Sequence, residues 1–274
     1  MDTETQYKRV LITGAAGYLG GVLCQALRGS DMQVRLTDRS APSYALEAGE
    51  EFIAADLAEF AQVGATVAGI DAIVHLGGHA TEGPWDAILN ANIIGTYNVF
   101  EAARLAGVKR VVFASSHHTV GYYRRERTIT ADVPVRPDSR YAVSKVFGEA
   151  LGRLYADKHG MSVICQRIGI ARPKPPHQRA LRAWLSEEDF VRLTLDCLRA
   201  RAVHFGIVYG VSANDRLFWD NENGGNIGYA PQSSARSFEK EILAQCEPED
   251  EIEALFQGGK YAALEFDGDT SKID

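Results

Sequence analysis

Arg9-Val-Leu-Ile-Thr13-Gly14-Ala-Ala-Gly17-Tyr18-Leu19-Gly20 is the stretch on which the fold turns. Its first half is an apolar run of the kind that fills a strand buried on both faces of a parallel sheet. The run breaks on the glycines, and a helical pattern follows through Val22, Leu23, Ala26 and Leu27. Glycine in such a turn lets backbone N–H groups approach a pyrophosphate, whose charge the positive end of the helix stabilises. The next strand, Gln33 to Thr37, ends on Asp38, 18 residues past Gly20. That is close to the spacing of an acid that binds the adenosine ribose hydroxyls. Its charge repels a 2′-phosphate, so NAD is expected over NADP; Arg39 beside it is the neighbour that would suit the phosphate instead.

Outward from this unit the alternation continues. Glu51 to Ala55 reads as a strand with Asp56 and Leu57 at its carboxyl end, and Ala58 to Ala68 as a helix. Ala72 to Leu76 is a strand running into Gly77-Gly78. A long helix is expected from Asp86 to Ala106, with Asn92 in the stripe of Ile88, Gly95 and Val99, as either a core amide or a site group. The strand Arg110 to Ala114 delivers Ser115-Ser116-His117-His118 to the carboxyl edge, where open parallel sheets hold ligands. Tyr122 to Arg140, with Pro134 and Pro137, is a loop placed to cover that edge, and Ser162 to Ile168 is a sixth strand. The expected fold is α/β, a doubly wound parallel sheet of the Rossmann type. Residues 1–170 form the dinucleotide-binding domain and carry the chemistry; residues 171–274 form a small substrate-side lobe packed on it, too short for a core of its own. That lobe reads as a proline loop (Arg172 to Pro176), a capped amphipathic helix (Ser186 to Arg199) and a further strand (Phe205 to Tyr209). A glycine- and asparagine-rich stretch (Asn221 to Gly228) and a frayed polar tail (Asp267 to Asp274) complete it.

The chemistry is expected in Ser139 to Leu154, where Val143, Val146, Phe147, Ala150, Leu151 and Leu154 mark one helix face. Tyr141 and Lys145 lie four apart, so their side chains are neighbours on the helix. A free tyrosine has a pKa of about 10, and a close cation favours the phenolate. Lowering it by about three units takes roughly 4 kcal/mol of differential stabilisation and makes Tyr141 a general base near neutrality.

Composition narrows the partners. A net charge of −7 argues against nucleic acid, which requires concentrated positive charge. Arg124-Arg125 with Arg127, and Arg199 with Arg201, are short basic runs expected on solvated faces. The cysteines at 24, 165, 197 and 246 are scattered, with no metal-type spacing, so reduced thiols in a cytoplasm are expected. The N-terminal residues do not read as a signal peptide, and no apolar run reaches membrane-spanning length.

A glycine turn after the first strand, an acid ending the second, serine ending the fifth and Tyr141-x-x-x-Lys145 opening a helix together resemble the extended branch of the short-chain dehydrogenase/reductase family, over Arg9 to about Gly169. The resemblance implies that Ser116 polarises the reacting oxygen and Tyr141 exchanges its proton. Lys145 would bind the nicotinamide ribose and lower the tyrosine pKa. Asp38 would hold the adenosine ribose, with Asp56 and Leu57 near adenine and Leu76, Gly77 and Gly78 along the dinucleotide. Asn92, in Asn92-Ile-Ile-Gly-Thr96, matches the family's helix asparagine; Gly14, Gly17, Tyr18, Leu19 and Ile168 complete the expected NAD contacts.

Stretches outside the cofactor machinery extend the resemblance over nearly the whole chain. His75-Leu-Gly-Gly78, Ser115-Ser-His-His-Thr-Val-Gly-Tyr-Tyr123, Ser212-Ala-Asn-Asp215, Trp219-Asp-Asn221 and Phe256-Gln-Gly-Gly259 are similar to bacterial uronate dehydrogenases. Those enzymes oxidise C1 of cyclic glucuronate or galacturonate with NAD to an aldarolactone. The resemblance assigns Arg179 to the substrate carboxylate, a suitable partner for a guanidinium fork, and His117 and His118 to the sugar pocket, with Ser116 and Tyr141. The family usually has serine, asparagine and serine where this chain has Ala80, His117 and Ile170, which implies an altered sugar preference. Alternative activities are C1 oxidation of a neutral aldose, nucleotide-sugar epimerisation or dehydration, and NAD binding without turnover. The expected partners are a small sugar or sugar acid and, as is common in the family, further copies of the chain; no metal, nucleic acid or membrane is expected.

Overall fold

The computed structural model describes residues 7–221, 227–245 and 248–273. The expected glycine- and asparagine-rich stretch lies largely outside these, as does Cys246. The strands are β1 (Arg9–Thr13), β2 (Gln33–Asp38), β3 (Glu50–Ala54), β4 (Ala72–His75), β5 (Arg110–Ser116), β6 (Ser162–Ile168), the short β7 (Ile170–Ala171) and β8 (Trp184–Leu185), and β9 (Phe205–Gly210). Seven of them form one sheet in the order β3-β2-β1-β4-β5-β6-β9, while β7 and β8 pair separately. Every pairing in the large sheet is parallel. The order reverses between β1 and β4, and the crevice at their carboxyl ends is where such sheets bind ligands.

Strand side chains alternate across the sheet, and the two faces are covered accordingly. Val10 and Ile12 pack with Leu23, Cys24 and Leu27 of helix α1 (Tyr18–Leu27) and with Phe190, Leu193 and Cys197 of a second helix (Glu187–Arg199). Leu11 faces the other way, into a core built with α2 (Phe60–Val67), Gly95–Leu105 and Arg140–His159. In chain order these helices are α2, then α3 (Trp85–Ile88), α4 (Gly95–Leu105), α5 (Arg140–His159) and α6 (Glu187–Arg199). Cys24, Cys165 and Cys197 are buried free thiols. No helix among the described residues is long and apolar enough to cross a membrane.

Four expectations need correction. Phe205–Gly210, expected as a strand of the small substrate-side lobe, pairs with β6 and extends the main sheet, with its Val208 and Tyr209 buried. The long helix is interrupted: between α3 and α4, Leu89–Ile94 winds as a π-turn, closed by the Gly95 N–H donating to the Asn90 carbonyl five residues back. The tail is docked, since Arg124 donates to the carbonyls of Thr270 and Ile273 and stacks on Phe256. Arg125 likewise grips Glu249 with two hydrogen bonds and donates to the Phe256 carbonyl. Arg124 and Arg125 are therefore half-buried fasteners, not a solvated run.

Candidate active site

Gly14, with φ +72°, makes the turn after β1, and a Cβ there would lie 2.7 Å from the backbone nitrogen of Gly77. Gly17 caps α1 with no side-chain hydrogen bond, and the first turn holds no acidic residue. The leading N–H groups of α1 are thus left for an anion. Asp38 is fixed at the lip, accepting the Ala16 N–H at 3.1 Å and the Arg39 N–H at 2.7 Å. An uncapped helix end, a glycine cradle without room for Cβ and a positioned carboxylate fit NAD.

The other residues expected to contact the dinucleotide surround this crevice. The Asp56 carboxylate accepts the Ala58 N–H at 2.9 Å, and Leu57 packs where a Cβ on Gly77 would be. Tyr18 has its hydroxyl on Glu187 of α6, 2.5 Å away, and Leu19 packs on the core. Leu76 packs on the same core; His75 beside it is buried between Thr13 and Thr96, and burial pushes its pKa down to about 3. Asn92 is a satisfied buried amide: Oδ1 accepts the His79 N–H (2.6 Å), and Nδ2 donates to the His79 carbonyl (3.0 Å) and Ser144 Oγ (2.8 Å). It ties the loop after Gly78 to the helix of Tyr141.

Ser139 caps α5, accepting the Ala142 N–H at 3.1 Å, and Glu82 accepts the N–H of Tyr141 at 2.8 Å. Both contacts orient the first turn, from which Tyr141 projects beside Ser116. Lys145 Nζ lies 5.6 Å from the Tyr141 ring centroid and 5.2 Å from that of Phe113. Tyr141, Lys145 and Glu149 form one buried i, i+4, i+8 stripe. At its far end Glu149 binds Arg167 bidentately at 2.9 Å and accepts the Ser115 hydroxyl at 2.6 Å, locking α5 to β5 and β6. Burial pushes the Tyr141 phenol up to about 12, although the Ser116 hydroxyl draws it partly back. Burial also pushes Lys145 down to about 8. Desolvation is the largest influence on both groups, and it disfavours the charged form of each.

On the substrate side His117 and His118 are both buried, with ring centroids 4.0 Å apart. Burial, with Arg179 nearby, holds both rings well below the usual histidine range. His117 Nδ1 bonds the Ile168 carbonyl at 2.9 Å, while its Nε2 is buried without a partner. His118 stacks on Tyr261, stands edge-on to Tyr141 with centroids 6.2 Å apart, and meets Asp138 through Nδ1 at 2.6 Å. Arg179 is buried and donates to the Gln257 carbonyl at 2.7 Å. Among the described residues no carboxylate pairs with it, and burial, with Arg125 nearby, pushes its pKa down to about 10. Ala80 is exposed and Ile170 half-buried. Sequence reasoning missed Glu82, Asp138, Gln257 and Tyr261. Only Gln257 lay in a quoted motif; the others carry no local signal.

A parallel sheet of this order with a glycine cradle at its switch point defines a dinucleotide-binding α/β protein, and serine, tyrosine and lysine beside the cradle suit it to redox chemistry. The chain belongs to the NAD dependent epimerase/dehydratase family, whose model matches residues 10–170. It is 43% identical over 261 residues to a uronate dehydrogenase of Pseudomonas putida, covering 95% of this chain and 97% of that one. Among solved structures it is similar to a glucuronic acid dehydrogenase from Chromohalobacter salexigens (TM-score 0.91, 42% identity, 97% and 100% of the two chains). It is also similar to a tyrosine variant of Agrobacterium tumefaciens uronate dehydrogenase complexed with NAD (TM-score 0.89, 44% identity, 93% and 97% covered).

Proposed function

We propose that the protein oxidises C1 of a cyclic hexuronic acid, glucuronate or galacturonate, to the aldarolactone with NAD. The carrying observation is Arg179, a buried guanidinium that makes no direct ion pair among the described residues, close enough to His117 and His118 for its charge to act on both. A buried charge without a counterion is costly, and a substrate carboxylate supplies one.

The Gly14 turn, the N-terminus of α1, Asp38 and the loops after β3 and β4 would hold the dinucleotide, and Tyr141, Lys145 and Ile168 would meet its nicotinamide half. Bound NAD supplies the hydride acceptor and a positive charge. Ser116 accepts the His118 N–H at 3.2 Å, and its hydroxyl, beside Tyr141, would donate to the anomeric oxygen. Tyr141 takes the anomeric proton. Its phenolate is favoured by the Ser116 hydroxyl and by the positive charge of Lys145, to which bound NAD would add its own, offsetting the burial that otherwise keeps it protonated. His118 and the Arg179 fork fix the sugar so that C1 faces the tyrosine. With the ring closed throughout, the product is a lactone.

Pairing each uronic acid with its neutral aldose in an NAD-reduction assay tests the reading. Arg179→Ala should lower kcat/KM for glucuronate about ten- to a hundredfold, the worth of a charge-assisted hydrogen bond. An unchanged value would favour a neutral aldose as substrate. Tyr141→Phe should cost at least a hundredfold in kcat with NAD binding retained, as expected for a general base; full turnover in that variant would remove Tyr141 from the chemistry.

The reading extends to the protein's setting. Ile94, Tyr97 and Leu105 beside and on α4, with Val143 and Leu154 on the adjoining α5, are exposed at helical spacing, which suits a homo-oligomer. The buried free thiols suit a cytoplasm.

A further inference from the structure

Behind Arg179 lies a cavity of about 310 Å³ lined by Arg125, Arg179, Arg182, Arg216, Phe218 and Glu239, among others. Its charges do not cancel. Arg125 is bound to Glu249, and Arg216 to Glu239 at 3.3 Å. Arg179 and Arg182 have no ion pair among the described residues. Arg182 donates its Nε–H to the Arg216 carbonyl and lies over the Phe218 ring, 3.9 Å from the centroid, and its terminal nitrogens make no hydrogen bond among the described residues. The like charges of Arg216 and Arg125, together with burial, act against its own charge. Arg179 and Arg182 sit three apart in the 3₁₀ turn Gln178–Arg182, where side chains at that spacing eclipse and project to one side. Two guanidinium groups on one face of one cavity thus lack a direct ion pair among the described residues, although Asp138, Glu249 and Glu253 favour the charge of Arg179 from a distance.

A uronate carboxylate brings one negative charge and stops one bond beyond C6. It neutralises Arg179 and brings no charge to Arg182. The cavity has room for roughly ten water volumes, at the lower end of small-molecule pockets, and one carboxylate does not fill it. A phosphate monoester on C6 places its oxygens two bonds further out and carries nearly two negative charges near neutrality. Arginine forks match phosphate as well as carboxylate.

We infer that this arginine-lined cavity is a phosphate subsite, and that the enzyme also oxidises C1 of aldohexose 6-phosphates. The electron balance is that of the uronate reaction: C1 loses a hydride to NAD, the anomeric hydroxyl loses its proton to Tyr141, and the phosphate ester is untouched. The inference rests on the reading that Arg179 receives the C6 end of the sugar.

The test uses the full chain with NAD and three substrates: glucose, glucuronate and glucose 6-phosphate. Glucose 6-phosphate should show kcat/KM at least tenfold above glucose, and inorganic phosphate should compete with it. Arg182→Gln should lower the ratio of kcat/KM for the phosphate to that for glucuronate at least tenfold, and Arg182→Lys should restore most of it. The uronate rate of each variant reports that it is folded. If glucuronate is oxidised but glucose 6-phosphate is no better than glucose, the phosphate subsite is wrong and the uronate reading stands. If Arg182→Gln leaves the ratio unmoved, the subsite is likewise wrong. If neither anionic sugar exceeds glucose, the assignment of Arg179 to C6 falls with it.

Discussion

Asp138 and His118 hold one proton between them across 2.6 Å, and its position sets what the pocket offers a sugar hydroxyl. Asp138 is buried, which pushes its pKa up to about 7, while the neighbouring Ser139 hydroxyl, His117 and Arg179 pull it back. Tyr122, Tyr141 and Tyr261 also feel its charge. Below that pKa the carboxyl donates to Nδ1, and the neutral His118 presents Nε2–H as a donor. Above it the carboxylate accepts from Nδ1–H, and Nε2 becomes an acceptor. The KM for the sugar should therefore inflect near pH 7, and Asp138→Asn should flatten the profile across about pH 5 to 8. An inflection that survives the substitution would exonerate the dyad. The pairing was invisible in the sequence, where Asp138 was one polar residue in a proline-bearing loop.

Helix α5 carries Tyr141 and Lys145, and its distance from β5 decides where both side chains end. Gly148 makes that distance short: a Cβ there would overlap the Phe113 ring, over which the Lys145 ammonium sits. Gly148→Ala should therefore cost about 1–3 kcal/mol as overpacking, read as a lower urea midpoint, and should reduce kcat by displacing Lys145. An unaltered midpoint would show that the ring yields freely. The helix itself was legible from its apolar periodicity, and the tyrosine–lysine pair from its spacing. The acidity of the phenol was not, because desolvation depends on what covers the residue. The π-turn before α4 was equally hidden, since apolar spacing does not distinguish a widened turn from an α-helical one.

At the scale of the molecule, the exposed apolar residues beside α4 and on α5 make association with a second copy an expected outcome. Sedimentation of the wild-type chain should show an oligomer, and Tyr97→Glu, which places a charge on a side chain 47% exposed in the isolated chain, should shift it toward monomer. A wild-type monomer at micromolar concentration would remove this reading. The sequence by itself determined the alternation of strands and helices, the glycine turn with Asp38, and the Tyr141–Lys145 pair. These follow from periodicity and spacing along a single stretch, which local backbone geometry enforces. Tertiary structure alone decided that β9 completes the sheet, that Arg124 and Arg125 fasten the tail, and that Arg179 rests on the carbonyl of Gln257, 78 residues away. Each depends on burial and charge contributed by segments remote in the chain, and desolvation has no local signature.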